Sequence, residues 1–180
     1  MSFIETPQQI ALQEAARDVA RTVIAPRAAA LAPGEKLSAA DLRVFFKALK
    51  PLGYLGSTIS KEYGGSGLTY VDYGLLLEAL ASGPVVMGEI VPPRTINYLG
   101  SPEQKKRWMA KLFSGDWVTT AMITEPQAGS DMRAFTTTAV LQGDSYVVNG
   151  KKRWIKLGGV SDLVTLMVSD GKGGLSRLVL

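Results

Sequence analysis

The sequence predicts an α+β protein in which a helical domain comes first and an antiparallel β-domain follows. Two observations predict this fold class. Apolar residues recur at helical spacing over roughly the first 115 of the 180 residues, and beyond Gly115 short β-branched or aromatic runs alternate with turn signals. We therefore expect a helical bundle over residues 1–115 and a β-domain over residues 116–180.

The helices are predicted from their N-terminal capping signals. Thr6, Ser38, Thr69 and Ser101 each stand just before an apolar run with helical spacing, and their hydroxyls can accept from the first unpaired amides of a helix. Pro26 should kink or end the first helix, because its ring removes a backbone N–H donor. Four helices are therefore expected at these caps.

The stretch after the third helix combines helix-breaking and helix-forming signals. Ser82-Gly83-Pro84 should end the third helix. A further helix is predicted from Val85 to Tyr98, although Pro92-Pro93 interrupts its pattern.

Short apolar runs beyond Gly115 predict β-strands. Asn149-Gly150, between two such runs, is the strongest short hairpin signal, and Gln142-Gly143-Asp144 and residues 170–174 give further turns. These signals predict an antiparallel meander. The last run reaches the end of the sequence, so we expect either a shortened chain or a partner that completes the sheet. The runs span residues 117–123, 136–141, 146–149, 152–155, 163–168 and 175–180.

The composition excludes several classes of site. The chain has no Cys and no His, which removes disulfides, Ser–His and Cys–His triads and most transition-metal sites. The net charge is +4, from 20 basic and 16 acidic residues. The basic clusters 105–107 and 151–153 are interpreted as solvated surface, since no nucleic-acid-binding motif accompanies them. We therefore expect no nucleic-acid partner and no metal site.

The sequence shows no signal for a membrane or for export. No apolar run approaches the ~20 residues that a transmembrane helix needs. The first residues lack the basic and apolar regions of a signal peptide. We therefore expect a cytoplasmic protein.

Glycine-rich phosphate-binding motifs are incomplete. Gly65-x-Gly67 has Tyr70 where a third Gly would stand, and it follows no convincing strand. Gly150-Lys151 is followed by Lys152 rather than Ser or Thr, so a P-loop is not formed.

The segment from Thr124 to Asp131 is the strongest candidate for a ligand-binding loop. Thr124 can hydrogen-bond a ligand at the end of a strand, Gly129 permits close backbone approach, and Ser130 is a small donor and acceptor. On spacing alone, however, an ordinary turn that leads into an Asp N-cap is the better interpretation.

This segment, Thr124-Glu125-Pro126-x-Ala128-Gly129-Ser130-Asp131, resembles the signature of the acyl-CoA dehydrogenases, which are flavoproteins that desaturate acyl thioesters. Further segments are similar to that family in the same order along the chain. They are Tyr63-Gly64-Gly65-Ser66-Gly67-Leu68, Gly100-Ser101-x-Glu103-Gln104-Lys105, Thr137-Thr138-Ala139 and Tyr146-Val147-Val148-Asn149-Gly150-x-Lys152-x-Trp154-Ile155.

The resemblance implies a helical first domain and a β-barrel-like middle domain. In the family a second helical domain then supplies the catalytic carboxylate, and the present sequence would stop before it. None of the 16 acidic residues is assigned as that base, so no catalytic residue is predicted here. Glu125 is interpreted as structural.

The resemblance also implies FAD as cofactor and an acyl-CoA as substrate. Thr124 would hydrogen-bond the pyrimidine edge of the flavin, Trp154 would stack on its outer face, and Ser130 would also lie along the pantetheine arm of the substrate. The cofactor-binding residues implied are Ile123, Thr124, Gly129, Ser130, Trp154 and Ile155.

The implied reaction is the removal of an α proton by a carboxylate while the β hydride passes to flavin N5. Lys156 departs from the family, which has Thr or Ser after Trp-Ile. Lys156 is two residues after Trp154 and is expected to share a strand face with it, so its ammonium would favour the reduced, anionic flavin but would also crowd N5.

Three hypotheses for the function remain open. The chain is part of a working FAD-dependent dehydrogenase, a catalytically inactive relative with a structural role beside an active partner, or, with least support, a module that binds acyl chains without turnover. The resemblance implies a homo- or hetero-oligomer of family members and an electron acceptor such as electron transfer flavoprotein. The length and branching of the acyl chain are not predicted.

Overall fold

The chain divides into two compact units in the computed structural model, which describes residues 4–170 and 174–180. The first unit is Met1–Val118 and the second is Thr119–Leu180. The predicted boundary after residue 115 lies close to this division. Within the described residues, no helix is long and apolar enough to cross a bilayer.

The first unit is helical, as predicted. Residues between the helices form short 3₁₀ turns, at Lys50–Leu52 and Lys61–Tyr63. The α-helices among the described residues are α1 (Pro7–Val19), α2 (Ala25–Ala29), α3 (Ala39–Leu49), α4 (Tyr70–Ala81), α5 (Val91–Leu99) and α6 (Pro102–Leu112).

The four predicted N-caps are confirmed, each as a reciprocal capping box. The cap hydroxyl accepts from the amide three residues later, and the side chain of that later residue accepts from the backbone N–H of the cap. Both bonds lie within one turn, so the start of each helix follows from the local sequence. The pairs are Thr6–Gln9, Ser38–Asp41, Thr69–Asp72 and Ser101–Gln104.

Two proline sites show how the backbone accommodates a missing donor. The chain passes Pro26 through a π-helical turn at Ala20–Ile24 and continues as α2, so the helical path extends beyond the predicted kink. The helix predicted from Val85 begins only at Val91, so the predicted start was wrong. Pro92 and Pro93 lie in its first turn, where an amide has no intrahelical acceptor to lose.

The core of the first unit lies where α1 and α3 pack with their neighbours. α1 packs against α4 and against α3. Phe45, Leu49, Leu76 and Leu80 are fully buried. Burial of this apolar surface is the main stabilising contribution to the helical unit.

The second unit contains one mixed sheet, in which β4 is central. β1 pairs with β4 in parallel, and β5 pairs with β4 in antiparallel orientation. β2 and β3 form an antiparallel hairpin, and β2 meets β4 in parallel through Thr138 and Ser169. The strands are β1 (Thr119–Met122), β2 (Thr138–Gln142), β3 (Ser145–Asn149), β4 (Leu163–Ser169) and β5 (Leu175–Val179).

The predicted all-antiparallel meander was therefore wrong. A parallel pair such as β1–β4 needs a long crossover, and residues 123–162 supply it. Alternating side chains predict strands but carry no information on the direction of the partner strand. Closure of the sheet into a barrel-like form stays a prediction.

The Asn149-Gly150 hairpin was also wrong. Residues 150–162 are described throughout and contain no strand, so the strand predicted over 152–155 does not form. The two-residue turn lies instead at Gly143-Asp144, between β2 and β3. Gly150 is required for close packing, because a Cβ on it would lie 2.3 Å from Thr137 Oγ1 and 2.6 Å from Thr137 Cα.

The predicted turn at residues 170–174 lies partly outside the described residues, which omit 171–173. At its ends, the backbone N–H of Asp170 donates to the Gly174 carbonyl at 3.0 Å. Residues 1–3, which the sequence interpretation included in the search for a signal peptide, are likewise outside the described part.

Candidate functional site

The six predicted cofactor-binding residues lie on two crossover segments of the second unit. One segment runs from the end of β1 to residue 131, and the other lies between β3 and β4. The first holds Ile123, Thr124, Gly129 and Ser130, and the second holds Trp154 and Ile155.

Hydrogen bonds join the end of β1 to the segment that contains Trp154. The backbone N–H of Arg153 donates to the Thr124 carbonyl at 2.8 Å. The Thr120 hydroxyl donates to the Lys156 carbonyl at 2.5 Å. Residues 123–124 and 153–155, separated by about 30 positions in the sequence, are therefore neighbours at one place in the fold.

A buried ion pair reinforces this junction. Lys152 Nζ donates to Glu125 Oε1 at 2.8 Å and to the Ile123 carbonyl at 2.9 Å, and it lies 4.4 Å from the centre of the Phe135 ring. The side chains of Lys152 and Glu125 are only 6% and 1% exposed. A buried charge pair of this kind persists only when each partner is fully satisfied by hydrogen bonds.

Glu125 is satisfied by four further donors. Oε2 accepts from the Thr136 amide at 2.8 Å, the Thr136 hydroxyl at 2.9 Å and Gln127 Nε2 at 2.7 Å, while Oε1 accepts from the Thr137 amide at 3.0 Å. Burial alone would raise the pKa of Glu125, but the bonds from Lys152 and from these amides outweigh it and hold the pKa well below its ordinary value. Glu125 is thus an ionised interior anchor, in agreement with its predicted structural role.

The loop after Glu125 is closed by a pair of backbone bonds. Glu125 and Ala128 exchange N–H···O bonds of 2.8 and 3.2 Å. Ala128 packs into a small apolar cluster with Phe135 and Met167, and the half-buried Ile123 packs against the same cluster. Ile123 therefore packs against the same apolar cluster that anchors the loop at Ala128.

Gly129 and Ser130 follow this loop on the surface. Both are exposed, and a Cβ built on Gly129 would meet no atom within 4 Å. Ser130 lies at a cavity of about 540 Å³, which is lined by Ser130, Asp131, Met132, Arg133 and Leu175. The backbone at Gly129 is therefore open to a ligand, as its predicted role requires.

Trp154 stands out by its conformation and exposure. Its φ is +57°, in the left-handed region that non-glycine residues rarely adopt, and its side chain is 77% exposed. The Arg153 guanidinium lies 4.3 Å from the ring centre. The alternative interpretation of Trp154 as a core aromatic on a strand is wrong, and its indole is available to stack on a ligand.

Lys156 does not share a strand face with Trp154, so that prediction was wrong. The segment is not a strand, and the backbone bends again at Leu157, which has a φ of +64°. Lys156 remains exposed, while partial desolvation of its ammonium lowers its pKa.

Sequence reasoning missed Lys152. Residues 151–153 were interpreted as a solvated basic cluster, yet the middle lysine is buried and paired with Glu125, 27 positions earlier. Its spacing within Gly-x-Lys-x-Trp was the one available signal. Across the described residues, no group of three or more acidic side chains is placed to hold a metal ion.

Comparison with known proteins gives family matches over nearly the whole chain. The family model described as "Acyl-CoA dehydrogenase, N-terminal domain" matches residues 6–116, and that described as "Acyl-CoA dehydrogenase, middle domain" matches residues 120–180. The two matches adjoin near the division between the two compact units.

Individual relatives agree with these matches. A short-chain-specific acyl-CoA dehydrogenase from Clostridium acetobutylicum is 32% identical over all of this chain and 49% of its own length. A 3-sulfinopropanoyl-CoA desulfinase from Cupriavidus necator is 38% identical over 88% of this chain and 40% of its own. The chain thus spans about half the length of the curated relatives it matches, or less.

A solved structure extends the agreement to the fold. The ChsE4–ChsE5 complex from Mycobacterium tuberculosis contains a chain that superposes with a TM-score of 0.79 at 32% identity. The match covers all of this chain and 48% of the other.

Proposed function

The chain belongs to the acyl-CoA dehydrogenase family, and on this basis we propose that it forms the cofactor-facing part of an FAD-dependent acyl-CoA dehydrogenase. The proposed reaction is the α,β-desaturation of an acyl-CoA thioester. The carboxylate base that takes the α proton would come from outside these 180 residues.

The observation that carries this proposal is the backbone bond from Arg153, the residue before Trp154, to Thr124, just after the end of β1. Thr124 is half-buried and lies beside a segment that presents an exposed indole. An indole face and a nearby hydroxyl suit a planar ligand with an aromatic face and a polar edge. FAD has these features, so the residues present fit it, and when bound it would supply the hydride acceptor at flavin N5.

The chain's own residues would bind and orient rather than carry a chemical step. The Trp154 indole would cover one face of the ring and exclude water from it. The Thr124 hydroxyl would hydrogen-bond its pyrimidine edge, while Ile123 and Ile155 contribute apolar side chain and backbone. Such fixed dipoles and apolar walls act without reorganisation at the moment of reaction.

Ser130 is proposed as the residue that contacts the substrate. It is exposed, it follows the open backbone at Gly129, and it borders the cavity formed with Asp131, Met132, Arg133 and Leu175. A small hydroxyl at this position can donate to or accept from the amides of a pantetheine arm. We propose an oligomer of family members and an electron transfer flavoprotein as acceptor.

A second candidate function is a catalytically inactive subunit beside an active homologue. Lys156, at the position where the family has Thr or Ser, favours it. The similarity to a chain of the ChsE4–ChsE5 complex is compatible with a partner of the same family. The desulfinase relative shows that the name dehydrogenase does not cover every similar protein, so the reaction itself must be measured.

The experiment uses the protein purified from its source, together with any further polypeptide it carries. Its visible spectrum is recorded before and after reconstitution with FAD, and acyl-CoA thioesters of several chain lengths are then added without oxygen. Flavin absorbance that bleaches with one of them supports the dehydrogenase. Bound FAD that no thioester bleaches favours the inactive subunit, and a protein that remains colourless with excess FAD overturns the proposed cofactor.

A further inference from the structure

The buried ammonium group of Lys152 forms hydrogen bonds to both sequence neighbours of Thr124. Lys152 Nζ bonds the carbonyl of Ile123 and the carboxylate of Glu125, which are the residues immediately before and after Thr124. The next backbone amide, that of Arg153, donates to the Thr124 carbonyl. Because Trp154 follows directly, these bonds connect the backbone around Thr124 to the segment that presents the exposed indole.

The Glu125 carboxylate, the other partner of the ion pair, is also held by several hydrogen bonds. The Glu125 carboxylate accepts from the backbone amides of Thr136 and Thr137, just before β2, and from the Thr136 hydroxyl. The pair therefore joins three segments of the chain: the residues after β1, the residues just before β2 and the segment before Trp154.

The strained backbone at Trp154 needs such a connection. A non-glycine residue in the left-handed region persists only when its surroundings hold it there. Trp154 is 77% exposed, so packing of its own side chain does not supply that hold. The bonds of Lys152 and Arg153 to residues 123–125 connect the backbone before Trp154 to the end of β1, and the bond from the Thr120 hydroxyl to the Lys156 carbonyl connects the backbone after it.

We propose that Glu125 and Lys152 are positioning residues of the flavin site: their ion pair sets the distance and orientation between the Thr124 hydroxyl and the Trp154 indole. This inference rests on the proposed function. Groups that act together at a site must be held within a fraction of an ångström. In enzymes, a displacement of about 1 Å can lower the reaction rate on the order of 100-fold.

The test compares variants in FAD affinity and flavin fluorescence, both measured on the purified protein. Stacking on an indole quenches flavin fluorescence, so the quenched fraction reports the contact with Trp154 independently of overall stability. The main variant is E125Q/K152M, which removes both charges and leaves no unpaired buried ion. The matched control is K151M, which removes one positive charge from the exposed neighbouring lysine.

We expect E125Q/K152M to bind FAD at least tenfold more weakly and to lose most of the quenching, while K151M behaves as the wild type. Wild-type affinity and quenching in the folded double variant would overturn the positioning role and leave the proposed function intact. A wild-type protein that binds no FAD would instead overturn the proposed function, and with it this role.

A cofactor-free readout keeps the inference testable on the same variants. In the wild type the Arg153 amide is bonded to the Thr124 carbonyl, so its hydrogen exchange reports the junction directly. We expect at least tenfold faster exchange at Arg153 in E125Q/K152M, with the β4 amides unchanged. Unchanged exchange at Arg153 would contradict the proposal.

K152R serves if the neutral pair does not fold. It keeps a cation for Glu125, but the larger, planar guanidinium directs its donors differently from the compact ammonium that bonds both Glu125 and the Ile123 carbonyl. Wild-type quenching in K152R would also overturn the positioning role, and weakened quenching in a stable protein would support it.

Discussion

The two units of this chain hold their elements in different ways. In the helical unit, the capping boxes that start α1, α3, α4 and α6 join residues three positions apart. In the β unit, the contacts around Glu125 span 11, 12 and 27 positions. The starts of these helices are therefore specified by local sequence, whereas the candidate site depends on a few long-range contacts.

The ion pairs compared in the two units differ in their exposure to water. The Asp18–Arg21 pair on α1 is exposed, with side chains 58% and 76% accessible, and water screens it. The Glu125–Lys152 pair is buried, so removing one partner leaves the other charge uncompensated. Removing one charge of the Asp18–Arg21 pair should thus change the free energy of unfolding little, whereas removing one charge of the Glu125–Lys152 pair should lower it strongly.

The largest expected effect is that of K152M, which leaves the Glu125 carboxylate buried without its cation. We expect the free energy of unfolding of the second unit to fall by about 3–5 kcal/mol. Urea unfolding followed through the β4 amides measures it. R21M, the matched control in the exposed pair, should cost about 0.5 kcal/mol or less. Equal losses of unfolding free energy in K152M and R21M would contradict the distinction between a buried and an exposed ion pair.

The next effect comes from packing at Gly150. A methyl group there would meet the Thr137 side chain and backbone at 2.3–2.6 Å, so G150A should cost about 1–3 kcal/mol. G159A is the control, since a Cβ on Gly159 meets nothing within 4 Å, and it should be neutral or slightly stabilising. Thermal unfolding of both variants checks this. A neutral G150A would mean that residues 137 and 150 are not in close contact.

Acid should weaken the second unit through Glu125. Its pKa is lower in the folded state than the ordinary value of 4.5, so its stabilisation is fully present above pH 4.5 and is lost as the pH falls below it. Over 1.5 pH units one such group contributes at most about 2 kcal/mol. The measurement is the free energy of unfolding at pH 4.5 and pH 3, read from the β4 amides. E125Q/K152M should lose less than the wild type over this range, and an equal loss would contradict the assignment.

The smallest expected effect is the loss of one cap. S38A removes the hydroxyl that accepts from the Asp41 amide at 3.2 Å and should cost about 1 kcal/mol. Hydrogen exchange should rise in the first turn of α3 and not in β4. A rise in both would mean that the cap stabilises more than its own helix.

The sequence allowed the helical unit to be predicted well because its signals are local. Thr6, Ser38, Thr69 and Ser101 start helices through bonds to residues only three positions on. The exception was α5, where Pro92 and Pro93 look like breakers but fit the first turn.

The β unit was predicted less completely because its organisation is non-local. The strands were found, but the parallel pairing of β1 with β4 depends on a crossover of about 40 residues. Asn149-Gly150 has the residues of a tight turn, yet Gly150 is needed for its contact with Thr137.

The candidate site, too, was predicted only in part. The resemblance singled out Thr124 and Trp154, and the fold brings their segments together. The pairing of Lys152 with Glu125 could not be predicted, because charge patterning alone places lysines on the surface.

We propose that FAD binds where the residues after β1 meet the segment before β4. The most direct measurement is a titration of the isotopically labelled protein with FAD, followed residue by residue through its backbone amide resonances. We expect saturable shifts concentrated at residues 123–124, 129–130 and 153–155. Shifts confined to the helical unit, or none at saturating FAD, would contradict it.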